Sequence, residues 1–214
     1  MTAVWGPMGW MTLHSISLLY PDNPSQSDKQ ISHKFLDEFA NSITCPHCEK
    51  HFKTMFENYR KIHPEWNSSK FHLFLFIARA HNTVNKRLEK PLVKTVQECL
   101  DSIIQGTQYT SATTFRRNYI DYVAKRMMAE MSGDTMIKVG LAQSMRRTNE
   151  TYWNSKIQGE LNFDMNANVL EFISDEPTSQ RFMFGGKTAV IHTQSDGTLA
   201  SFGLKGGRFR LKTG

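Results

Sequence analysis

Apolar residues recur at helical spacing through the first 131 positions, and each run is bounded by capping or breaking residues. Trp10, Leu13, His14, Ile16, Ser17 and Tyr20 fall three and four apart, predicting a helix over residues 1–20, opened by Gly6-Pro7 and closed by Pro21. Ile31, Phe35, Leu36, Phe39, Ala40 and Ile43 form a second stripe, with Ser27 or Asp28 as its cap. A third helix starts at Cys45-Pro46-His47-Cys48, where proline in the first turn loses no hydrogen bond, and buries Phe52, Met55, Phe56 and Tyr59. Asn67-Ser68-Ser69 caps the fourth, which Pro91 stops. A shorter fifth runs from Thr95 to Ile104 and ends at Gly106, with Val96, Cys99, Leu100 and Ile103 on one side. Residues 111–131 repeat the pattern through Phe115, Tyr119, Tyr122, Val123, Arg126 and Met127.

After Ser132-Gly133-Asp134 the helical stripes fade and short β-prone runs take over, at Val169–Ile173 and Thr188–His192. Ser195-Asp196-Gly197 reads as a hairpin turn between 190–193 and 198–202. The pattern thus predicts an all-α four-helix bundle with a short fifth helix, an additional helix, and a β-leaning C-terminal extension. The expected division is 1–108 for the helical domain, 109–132 for a connecting helix and 133–214 for the extension.

Composition narrows the classes only slightly. The formal net charge of +6 is spread along the chain, and aromatic and basic residues interleave only near 208–212, so nucleic acid is not an expected partner. The longest apolar candidate, Phe71–Ala80, is interrupted by His72 and Arg79 and is too short to cross a bilayer, so no membrane contact is expected. The opening residues lack the basic-then-apolar layout of a signal peptide, and the expected setting is the cytoplasm.

Two stretches carry chemistry. The fourth helix changes character along its length: after Phe71, Leu73, Phe74, Leu75, Phe76 and Ile77 it continues into His81, Asn82, Val84, Asn85 and Leu88 without changing direction. Imidazole and carboxamides on a continuing helix face need partners, either within a core or on a bound polar group. The second stretch is the Cys45-x-x-Cys48 pair. A thiol at a helix N-terminus is stabilised as thiolate by the dipole and unpaired amides, which makes Cys45 the more nucleophilic of the two. Cys48, one turn on, faces inward, and the pair can open and close a disulfide through a mixed intermediate. A closed zinc site would need four ligands, and His51 supplies only a third. A thioredoxin-like site would need a strand running into Cys45, where a helical stripe stands instead. Two ordinary buried thiols remain the bland alternative.

Three motifs together resemble the Erv/ALR family of FAD-linked sulfhydryl oxidases: Trp5-Gly6-x-x-x-Trp10-x-x-Leu13-His14 with Tyr20-Pro21; Cys45-x-x-Cys48; and His81-Asn82-x-Val84-Asn85-x-x-Leu88-x-Lys90-Pro91. They follow the family's order within residues 4–105. The resemblance implies FAD held noncovalently at one end of a four-helix bundle, lined by Trp5, Gly6, Trp10, His14, Tyr20, His81, Asn82, Val84, Asn85, Leu88 and Lys90. It implies that protein dithiols reduce the Cys45–Cys48 disulfide and that electrons pass through Cys48 and FAD to O2, giving H2O2. No metal is implied. Homodimers formed through the first helices are a further expectation from the resemblance.

The departures are as informative. Ala78 stands where cellular members carry one half of a structural disulfide, and no shuttle cysteines are present. These absences resemble the compact enzymes of large cytoplasmic DNA viruses, which act on virion proteins. The 133–214 extension is outside the resemblance. It is expected to be either a docking element or a clasp that packs on the helical unit. A non-enzymatic virion assembly or scaffold protein that keeps the fold is the rival reading.

Overall fold

A computed structural model describes residues 2–129, 135–174, 179–184, 187–193 and 199–204. Helix α1, Thr2–Leu19, begins a turn before Gly6-Pro7 and carries Pro7 inside it. Helix α2 is Gln26–Asn41. It starts earlier than Ser27, because Ser25 Oγ accepts from the Asp28 amide while the Asp28 carboxylate accepts from the Ser25 amide at 2.9 Å. Helix α3, Pro46–Ile62, is capped by Cys45; α4, Lys70–Arg87, by Ser69; and α5, Val96–Gly106, by Thr95. Helix α6 is Ala112–Ala129.

A seventh helix, α7 at Thr135–Thr151, falls where the sequence pattern predicts fading helical structure. That expectation is corrected, and the cause lies in the helix's inward face. Ala142 and Met145 are buried beside Asn149, so the stripe is part polar and does not stand out as apolar. The remaining extension matches the β-leaning reading. Strands β1 (Ser179–Phe184), β2 (Lys187–Thr193) and β3 (Leu199–Leu204) form an antiparallel meander in that order, with Arg181 opposite Val190 and Val190 opposite Gly203. The predicted turn at 195–197 and the basic stretch 205–212 lie outside the described residues. Val169–Ile173 is extended but joins no strand; next to it, Asn168 makes an isolated bridge with Thr95.

Helices α1 to α4 enclose the main core, which includes Leu13, Ile16, Phe35, Phe39, Phe56 and Phe76. Helix α6 lies along α1, and α7 lies along α6 and α2. The Tyr119 ring stacks on Phe39 at 4.7 Å, and its hydroxyl is 2.7 Å from Ser42 Oγ. A Cβ at Gly9 would come within about 3.2 Å of Phe39, Trp5 and Tyr119, so α1 packs tightly on these rings here and an added side-chain carbon would push them back by a few tenths of an ångström.

A second core forms where α5 meets α1 and α4, from Leu18, Phe74, Ala78, Cys99, Leu100 and Ile103. It is closed by an extended strap after α7. Leu161, Phe163, Met165, Ala167 and Val169 alternate onto it, as a period-two chain lying on an apolar surface must. The strap's carbonyls at Ala167 and Met165 accept from the amides of Val96 and Gln97, two of the orphan donors at the start of α5.

Helix α4 ends in a Schellman arrangement. The Lys90 amide bonds Asn85 O at 2.9 Å, the Glu89 amide bonds Lys86 O at 3.2 Å, and Glu89 sits at φ 53°. The stop therefore precedes Pro91. Because this left-handed position is held by a residue with a Cβ, Glu89→Gly should stabilise the protein by about 1 kcal/mol in urea unfolding.

Candidate active site

Three helix ends converge. His14 of α1 is 2% exposed, and its Nε2 lies 3.0 Å from His81 Nδ1 of α4. The Trp10 ring stacks on the His81 imidazole at 4.1 Å and 11°. Phe52 of α3 approaches Trp10 at 5.5 Å with its ring tilted by 49°, and Cys48 lies one turn before Phe52 on the same helix. The sequence motifs did not include Phe52; its only mark in the sequence is membership of an apolar stripe.

The two imidazoles are held neutral. Burial pushes His14 down from 6.5 to about 4, and burial, helped by His14 and Lys90, keeps His81 well below its ordinary range. One ring therefore donates to the other. The consequence for stability has a definite sign. Between pH 6.5 and 4 the unfolded chain takes up a proton at His14 that the folded chain refuses, so stability is complete above 6.5 and falls as the pH drops through that window. His14 alone accounts for a loss of up to about 3 kcal/mol, measurable by urea unfolding between about pH 7.5 and about pH 4, and His14→Gln should flatten it.

One buried polar atom here has no partner among the described residues: His14 Nδ1. Native proteins rarely bury such groups unpaired. With the Trp10 and His81 rings beside it, this nitrogen fits a planar heterocycle that carries hydrogen-bonding atoms.

The cysteine pair is built by the start of α3. Cys45 Sγ accepts from the Cys48 amide at 3.3 Å, and both thiols are free and partly exposed. Hydrogen bonding from Cys48, first through its side chain and then through its backbone, lowers the Cys45 pKa. Burial and the neighbouring Cys45 push Cys48 up to about 11. Arg87, in the last turn of α4, shares a small space with His51 and Phe52 of α3, and its charge acts to lower the Cys48 pKa against the larger effect of burial. The pair is thus asymmetric: the outward thiol is the more acidic, and the inward thiol holds its proton more firmly. His47 Nε2 is 3.0 Å from His51 Nε2 on the exposed side of α3, and no metal-binding cluster of three or more ligands exists among the described residues.

The other predicted positions divide into three groups. Gly6 and Val84 lie along the same helices, Val84 packed against the main core and Gly6 with open space at its Cα. Asn85 is half-buried in the last turn of α4 and Leu88 and Lys90 are exposed just past it, with Asn85 Nδ2 reaching Pro91 O at 3.3 Å. Tyr20 and Asn82 are not brought to the imidazole pair. Tyr20 is fully buried about 9 Å further along α1, donating to Asn67 O at 3.0 Å. Asn82 is turned to the backbone: Nδ2 donates to Val93 O and Val169 O, both at 2.8 Å, and Oδ1 accepts from the Val93 amide at 3.2 Å. Its amide hydrogens are spent on the chain itself.

Around Asn82, the strap grips the back of α4. Arg79 pairs with Glu171 at 2.8 Å, Thr83 Oγ1 accepts from the Ile173 amide at 3.0 Å, and Lys86 lies over the Phe172 ring at 3.9 Å. Residues 79, 82, 83 and 86 share one side of the helix, and His81, Val84, Asn85 and Leu88 share the other.

The description "Erv1 / Alr family" fits residues 7–103. Over 90 residues the chain is 32% identical to the FAD-linked sulfhydryl oxidase of African swine fever virus, spanning 42% of this chain and 71% of that protein. The chain belongs to the Erv1/Alr family. It is also 34% identical over 88 residues to a putative FAD-linked sulfhydryl oxidase of Invertebrate iridescent virus 3, spanning 41% of this chain and 58% of the relative. With the mitochondrial FAD-linked sulfhydryl oxidase of Saccharomyces cerevisiae it shares 34% identity over 86 residues, spanning 40% of this chain and 43% of the relative. No solved structure gives a significant match. The Erv1/Alr match ends before α6, so α6, α7, the strap and the sheet lie beyond it. Among the described residues no helix is long and apolar enough to cross a membrane.

Proposed function

We propose that this Erv1/Alr chain is an FAD-linked sulfhydryl oxidase that forms disulfides in protein substrates. The observation that carries the reading is the asymmetric Cys45–Cys48 pair at the end of the bundle where Trp10, His14 and His81 also meet. With the pair oxidised, a substrate thiolate attacks Cys45 Sγ, a sulfur–sulfur bond forms between them, and Cys48 leaves. A second substrate thiol breaks that mixed disulfide, so the substrate gains a disulfide and the pair keeps two electrons and two protons. Cys45, with its lowered pKa, is the better leaving group in the second step. Cys48 is the inward thiol, placed to pass the electrons on. FAD, when bound, accepts that electron pair and delivers it to O2, giving H2O2. His14 and His81, as a neutral pair, offer directional donors and acceptors without adding charge; Trp10 and His81 give a flat wall; Lys90 is a cation near the same end.

Purified protein should be yellow, with flavin absorbance, and should consume oxygen in the presence of dithiothreitol. A colourless protein containing stoichiometric zinc would overturn the reading. The scaffold alternative has no comparable support, because an inert protein has no use for two thiols held at different acidities.

Within the same proposal, residues 1–108 carry the chemistry, 109–132 cover α1, and 133–214 support or dock. The setting is the cytoplasm, or a virion where thiol-bearing structural proteins are the substrates. A homodimer would use surfaces of the first helices that α6 and α7 leave free.

A further inference from the structure

An apolar-walled cavity lies apart from the redox pair and from every motif position. It has a volume of about 390 Å³ and lies between α1, α5, the start of α6 and the segment 153–165. Leu18, Leu100, Ile103 and Leu161 give it an apolar floor. Two anomalies meet in its wall.

The first is Arg116, 2% exposed. Its Nε donates to Asn149 Oδ1 at 2.8 Å, Nη1 to Ser15 Oγ at 2.6 Å, and Nη2 to Thr113 Oγ1 and Asn154 Oδ1 at 3.2 and 3.0 Å. All four partners are neutral, and no carboxylate among the described residues pairs with it. Burial lowers its pKa only to about 10, so it is charged at neutral pH. A guanidinium buried without a countercharge is costly, and its neutral cage leaves one Nη1 hydrogen unspent. The second is Trp153, fully buried, whose indole N–H has no partner among the described residues. The nearest other cation in the wall, Lys156, already pairs with Asp28 at 3.2 Å.

Both anomalies are donors, and both residues line the same cavity, so one ligand with an anionic acceptor there can meet both. Two unspent hydrogens match the two oxygens of a carboxylate, whose planar shape suits a guanidinium. The floor asks for hydrocarbon. We infer that this cavity binds a fatty-acid-like carboxylate, with its head group at Arg116 and Trp153 and its unbranched apolar tail along Leu18, Leu100 and Ile103.

Decanoate is the probe, added to full-length protein carrying nitrogen-15 in its tryptophan side chains. One indole N–H resonance, identified by its loss in Trp153→Phe, should move saturably downfield. Decanol, which keeps the tail and loses the charge, should bind at least about tenfold more weakly. Ile104→Trp, at a cavity-lining position that is 67% exposed, should block entry while the protein stays folded. No saturable shift with decanoate, equal binding of decanol, or unchanged binding in Ile104→Trp would each overturn the inference. Because the readout is a tryptophan resonance, the test is independent of flavin content and oxidase activity.

Discussion

Replacing either cysteine of the pair should end thiol oxidation, with turnover on dithiothreitol falling by about 10³ or more, while bound flavin is retained. The two losses differ in kind. Cys48→Ser leaves Cys45, the outward and more acidic thiol, able to form a mixed disulfide with oxidised glutathione. Cys45→Ser should leave a partly buried Cys48 that reacts slowly, since burial and its neighbour push its pKa up to about 11. The rate of alkylation against pH reports the same asymmetry. Cys45 should titrate below its ordinary 9.0, and Cys48→Ala should move that titration upward, because the Cys48 side chain is the first cause of the depression. Equal alkylation profiles for the two thiols would refute the assignment of roles.

Asn82→Ala should be strongly destabilising for a polar replacement on α4. It removes three hydrogen bonds and strands the carbonyls of Val93 and Val169 and the amide of Val93. Each stranded group in a buried setting costs about 1–3 kcal/mol, so a total loss of roughly 3–5 kcal/mol is expected in urea unfolding of the reduced protein. Asn85→Ala is the matched control. Its amide makes one exposed contact of 3.3 Å, and its loss should cost below about 1 kcal/mol. If the two variants unfold alike, Asn82 is not what joins the strap to α4.

The sequence made the bundle legible because its helices are written in strong stripes with chemical punctuation. Cys45-Pro46, Ser69 and Thr95 stand at the starts of α3, α4 and α5, as their capping chemistry suggests. The cysteine pair and the imidazoles were legible for the same reason, since their spacing fixes which helix end they occupy. Contacts between segments far apart in the chain were harder to read. Helix α7 buries Asn149 to satisfy Arg116, so the stripe that would mark it is partly polar. The alternation from Leu161 to Val169 was present as a signal, but without a partner strand it does not look like a sheet. Asn82 shows the limit most clearly. Its motif groups it with His81, yet one step around a helix turns a side chain by about 100°, and that step sends it to the strap.

The strap also sets an order of events. The partners that complete the back of α4 lie 87 and 90 residues further along the chain, at Val169 and Ile173. During synthesis, α1 to α5 therefore emerge with the Asn82 amide hydrogen that later reaches Val169 unspent and the second core uncovered, and the first amides of α5 wait for carbonyls not yet made. Closing so long a loop is entropically slow compared with winding the helices. The helical unit passes through an interval in which the helices have formed but the wall carrying His81 is not yet braced, and that interval ends only when residue 173 is free to dock.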